Sequence, residues 1–112
     1  MPTYILLTKL SAGAGGPQRN AEEVGKEIGR RVRAHCPGVV WKAHYATLGP
    51  HDFMDIFEAK DEAQAGEVAY ITGMVGHATT ETWTALSYER FIRVAKDATR
   101  MVGGTGHMVD MR

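Results

Sequence analysis

Leu48-Gly49-Pro50-His51-Asp52-Phe53-Met54-Asp55-Ile56-Phe57-Glu58-Ala59 lies at the middle of the chain and organises the elements on either side of it. A Gly-Pro turn followed by His-Asp separates two runs of strand-forming residues, which makes it the centre of a β-hairpin. The incoming strand is read over Val39 to Thr47, with Trp41, Ala43 and Tyr45 on one face and Lys42 and His44 on the other. The outgoing strand is read over Asp52 to Ala59, with Phe53, Asp55 and Phe57 opposite Met54, Ile56 and Glu58.

Each side of the hairpin carries a helix and then a strand. Upstream, Asn20 is a good N-cap, with Glu22 and Glu23 suited to the first turn. Ala21, Val24, Ile28, Val32 and Cys36 recur at helical spacing, and Pro37-Gly38 ends the helix. Gly25 and Gly29 lie beside that stripe, a placement that suits close approach of the helix backbone to a sheet. Before the helix come a glycine-rich loop, Ser11 to Gln18, and a first strand, Thr3 to Leu10. Downstream, Asp61-Glu62 opens a second helix reaching about Val75, with Gly76 as its stop. His77 to Leu86 alternates as a fourth strand, with Thr80, Thr82 and Thr84 opposite Glu81, Trp83 and Ala85. Ser87 then caps a third, short helix with Phe91, Val94, Ala95 and Ala98 on its apolar side.

Strand, helix, strand, strand, helix, strand is the split βαβ order. The expected architecture is α+β and ferredoxin-like: a four-stranded antiparallel sheet, two helices on one face and a short C-terminal helix. Residues 1–100 form a single domain in this reading, and residues 101–112 a flexible tail. One sheet face is left without helices although it carries large aromatics. A second copy is the expected cover, as a homodimer or higher homo-oligomer built sheet on sheet into a dimeric α+β barrel.

Composition narrows the function classes. The chain has 112 residues, 13 basic and 13 acidic side chains and a formal net charge of +0, so no global field draws in nucleic acid or an anionic membrane. Lys26, Arg30, Arg31 and Arg33 share their helix with Glu22, Glu23 and Glu27, which reads as a solvated face. One cysteine, Cys36, excludes an internal disulfide framework and a multi-cysteine zinc site. No segment approaches the roughly 20 apolar residues of a bilayer span, and the start lacks a charged leader. A cytoplasmic location is expected.

Several stretches together resemble the GYD-domain family: Pro2-Thr3-Tyr4-Ile5-Leu6-Leu7, the turn Leu48 to Asp52, Ile56-Phe57-Glu58-Ala59, and Thr80-Glu81-Thr82-Trp83-Thr84-Ala85-Leu86. The resemblance spans roughly residues 2 to 92. This sequence departs from the family's Gly-Tyr-Asp motif: His51 stands in place of the tyrosine, and Pro50 separates it from Gly49. The resemblance implies the ferredoxin-like fold and oligomerisation, and no established reaction.

The residues that bear on chemistry cluster around the hairpin. His51 and Asp52 stand at its tip, where Asp52 either supports the imidazole or bonds the amides of its own turn. Asp55 is a carboxylate inside an apolar strand, so it is paired, hydrogen-bonded or protonated if its face is buried. Glu81 or His77 would make a polar cleft with it; a partly solvated face with water or a partner's basic residue is the plainer account. Expected ligand-binding residues are Tyr45, Asp52, Asp55, Glu81 and Trp83, and the catalytic candidates are Asp55, His51 and His44. His44, His51, His77, His107, Asp52, Asp55 and Glu81 lack metal-ligand spacing, so neither metal nor cofactor is expected. Ser11 to Gln18 lacks the Gly-Lys-Ser/Thr ending of a phosphate loop and reads as a connector. The favoured reading is a non-enzymatic oligomeric module that binds a small molecule or a partner, or is structural. The alternative is a cofactor-free enzyme, monooxygenase-like or isomerase-like, acting on a small apolar substrate.

Overall fold

A computed structural model describes residues 1–11 and 20–102. The Ser11 to Gln18 connector, beyond Ser11 itself, and the tail from Gly103 onward lie outside the described residues. The elements are β1 (Thr3–Leu10), α1 (Ala21–His35), β2 (Val40–Ala46), β3 (Phe53–Glu58), α2 (Glu62–Gly76), β4 (Ala78–Ala85) and α3 (Tyr88–Met101). All strand pairs are antiparallel, in the order β2-β3-β1-β4. This is the ferredoxin-like arrangement expected from the element order.

Local chemistry fixes the helix ends. Asn20 Oδ1 accepts from the backbone N–H groups of Glu22 and Glu23 at 2.8 and 3.3 Å. Glu22 and Glu23 also complement the helix dipole, as Arg33 and His35 do at the other end. Asp61 caps α2 through Gln64 N–H at 2.9 Å, and Gln64 Oε1 reaches back to Lys60 N–H at 2.9 Å. α2 runs one residue beyond the expected stop: Gly76 is helical, and His77 takes the left-handed cap position with φ 52°. Ser87 caps α3 by accepting from Arg90 N–H at 3.1 Å.

The core lies between one sheet face and the two long helices. Tyr4, Leu6, Phe57, Val32, Cys36, Ala65 and Val68 are buried together there. Phe57 is fully buried, with Tyr4 and Trp41 rings at 5.7 and 5.5 Å. Each of the large side chains contributes about 1.5–3 kcal/mol by leaving water. Burial pushes the Cys36 thiol above its ordinary pKa, as suits a small core residue.

β2 corrects the reading of its faces. Trp41 pairs with Phe57 but Ala43 pairs with Ile56, so the register shifts between them and Lys42 is the extra residue. The bulge breaks the simple alternation. Trp41 and His44 therefore share the helix-covered face with Phe57 and Asp55, while Ala43 and Tyr45 join Met54 and Ile56 on the open face. Gly25 and Gly29 also have a different role from the one expected. A Cβ on Gly25 would meet nothing within 4 Å, and one on Gly29 would meet only the tip of Arg33 at 3.5 Å. The helix backbone does not press against the sheet at these positions; the missing side chains leave space.

α3 has no buried residue. Tyr88, Phe91, Val94 and Met101 are all exposed. Among the described residues, no helix is long and apolar enough to cross a membrane.

Candidate functional site

The space beside Gly25 and Gly29 belongs to a cavity of about 900 Å³ between α1 and the helix-covered sheet face. Val24, Ile28, Trp41 and Phe53 give it apolar walls. Thr8, Asp55 and His44 supply polar groups, and Thr72 and Gly76 of α2 close one side. Its size lies within the range of small-molecule sites.

Asp55 and His44 face each other across the β2–β3 pair, where the strand register makes them direct neighbours. His44 Nδ1 is hydrogen-bonded to Asp55 Oδ1. The carboxylate side chain is 14% exposed and the imidazole 70%. Burial pushes the Asp55 carboxyl above its ordinary range, and the hydrogen bond and charge of His44 pull it part of the way back. With Asp55 ionised, Nδ1–H donates and Nε2 carries the free lone pair, an arrangement that suits a general base. The His44 ring also stacks on Phe53, at 6.0 Å between centroids.

The remaining candidates lie elsewhere. His51 and Glu81 meet on the open face, with Nε2 and Oε2 3.0 Å apart, and Trp83 Nε1–H donates to Glu81 Oε1 at 3.2 Å. The hydrogen bond from His51, then that from Trp83, holds the Glu81 carboxyl below its ordinary range. Tyr45 is on the same open face, opposite Met54. The Asp52 side chain bonds neither His51 nor the amides of its own turn: its Oδ2 accepts from Leu10 N–H at 2.7 Å, while its backbone N–H donates to the Thr8 carbonyl at 2.7 Å and its carbonyl accepts from Thr47 N–H at 2.9 Å. It ties the hairpin to the end of β1. The residues proposed together from sequence thus divide between two faces of one sheet. Asp55 gains His44 rather than Glu81 or His77. Among the described residues, no three His, Cys, Asp or Glu side chains gather as a metal site.

Thr8 is a cavity residue that sequence reasoning misses; its signal is a hydroxyl in the inward set Tyr4, Leu6, Thr8 of an otherwise apolar strand.

A GYD domain family model matches residues 4–95. A Thermus thermophilus protein described as a glutamine synthetase and cystathionine beta-lyase binding protein is 34% identical over 87 residues, covering 77% of this chain and 90% of that one. Among solved structures, the Mycobacterium tuberculosis leucine response regulatory protein LrpA aligns with a TM-score of 0.51 at 8% identity over 77% of this chain. The aligned part is 51% of that protein. The hypothetical protein ORF119 of Sulfolobus islandicus rod-shaped virus 1 aligns with a TM-score of 0.50 at 10% identity, covering 89% of this chain and 82% of that one. At these identities the two structures speak to the fold alone.

Proposed function

The chain belongs to the GYD-domain family, and on that footing we propose that it is a non-enzymatic interaction module working as a homodimer paired through its open sheet face. The observation that carries this is the composition of that face. Trp83 and Tyr45 are 51% and 55% exposed there, beside Ile5, Met54 and Ile56, with both long helices on the opposite side. Apolar surface of this kind is characteristic of protein contacts, and a two-fold axis lets one patch cover its own copy. The exposed apolar side of α3 suits the same role, as a strap over the partner. The relative named for binding two enzymes supports an adaptor role, in which the dimer is a platform for an enzyme such as glutamine synthetase.

Light scattering after size exclusion tests the pairing. The wild-type chain is expected at twice 12.3 kDa at micromolar concentration. Trp83→Glu is expected at the monomer mass with an unchanged far-ultraviolet spectrum. A wild-type monomer, or an undisturbed dimer in the variant, overturns the reading. Adding purified glutamine synthetase tests the adaptor role, which falls if the enzyme's sedimentation does not change.

One observation favours a second reading, a cofactor-free enzyme: Asp55 and His44 line the same cavity as a hydrogen-bonded acid–base pair. His51, on the opposite face, takes no part in that pair.

A further inference from the structure

The cavity under α1 contains a buried hydroxyl without a partner. Thr8 is 4% exposed, and its Oγ1 has no hydrogen bond among the described residues. Buried polar atoms are ordinarily paired, and one left alone destabilises the fold. Thr8 lines the cavity, as does Asp55, whose Oδ1 is engaged by His44 while Oδ2 has no hydrogen bond among the described residues. Two unused hydrogen-bonding oxygens therefore border one largely apolar space.

We propose that this cavity binds a neutral, mainly apolar small molecule bearing a hydroxyl group, with that hydroxyl held between Thr8 and Asp55. Thr8 pairs with Phe53 in the sheet register, which makes Asp55 its diagonal neighbour on the same face. Diagonal Cβ atoms are about 7 Å apart, a gap that one hydroxyl bridges by donating to Asp55 and accepting from Thr8. The apolar body rests on Val24, Ile28, Trp41 and Phe53. Gly25 and Gly29 make room for it, since a side chain at either position would project into or beside the cavity.

The deep end of the cavity favours a neutral polar group, because Asp55 disfavours an anion beside Thr8, while Lys26, Arg30 and Arg33 on the α1 side disfavour an ammonium group. Arg30 is in addition paired with Glu27. The site lies on the opposite side of the sheet from the proposed dimer face, and it needs no turnover by the His44–Asp55 pair. Loss of dimerisation and loss of this binding are thus separately measurable.

The test is calorimetric titration of the full chain with 4-hydroxybiphenyl, biphenyl and biphenyl-4-carboxylate. The hydroxylated probe is expected to bind at least tenfold more tightly than either comparator. Thr8→Val is expected to weaken it five- to twentyfold while melting no lower than wild type, because the change keeps the shape and removes an unpaired hydroxyl. A purely structural Thr8 would leave affinity unchanged. Amide shift mapping on the wild-type chain is independent of any variant: Thr8, Ile28 and Asp55 are expected to move, and Tyr45 and Trp83 to stay. Equal affinity for the three probes, tightest binding of the carboxylate, no binding at millimolar concentration, or shifts confined to the open face would each overturn the proposal.

Discussion

Replacing His44 by Phe keeps a ring against Phe53 and removes only the donor to Asp55. The consequence for stability depends on pH in a way the geometry dictates. Asp55 is held above its ordinary pKa, chiefly by burial, and His44 is what moderates that rise. Between the unfolded value, about 3.9, and the raised folded value, the native chain holds more protons than the unfolded one. Stability therefore falls as pH rises through that window and levels off above it. Without His44 the folded value moves higher, the window lengthens, and the cost above it grows. A buried carboxylate that loses a hydrogen-bond donor forfeits about 1–3 kcal/mol. Because the His44 side chain is 70% exposed, solvent replaces part of its contribution, and the lower end, about 1 kcal/mol, is expected. That corresponds to a drop of about 4–8 °C in melting temperature for a chain near this size. Denaturant unfolding followed by circular dichroism, at one protein concentration, is the assay. The difference between wild type and variant should be full at pH 7.5 and absent below pH 3.9, and Asp55→Asn should abolish its pH dependence. A deficit of the same size at both pH values would refute the linkage, because lost packing does not titrate.

Two further outcomes are expected. Asp52→Ala removes the acceptor for Leu10 N–H at the end of β1; the cost is about 1 kcal/mol, and the Leu10 amide should lose most of its protection from hydrogen exchange, whereas unchanged protection would mean the contact contributes nothing. His77 sits at φ 52° as the α2 cap. Relief of the left-handed strain by His77→Gly should outweigh the added freedom of the unfolded chain, raising stability by about 0.5–1 kcal/mol, and a lower melting temperature would show that the imidazole contributes more than its backbone costs.

The element order, and through it the fold, is legible in local signals along the chain. Caps such as Asn20, Asp61 and Ser87, the Gly-Pro turn and the two apolar periodicities are local signals, because they act through neighbouring backbone atoms. That Phe53, Asp55 and Phe57 share one face is legible for the same reason, since β3 is regular and alternation along a regular strand is a local property, but which face the helices cover is not. What each face meets is set by pairing and packing between distant segments. The bulge at Lys42 depends on how β2 pairs with β3, and only that pairing places His44, rather than Glu81, beside Asp55. The cavity depends on how far α1 stands from the sheet, a distance set by its packing against α2 and the core. Register and layer spacing arise from contacts between residues distant in the chain, and no window of neighbouring residues contains them.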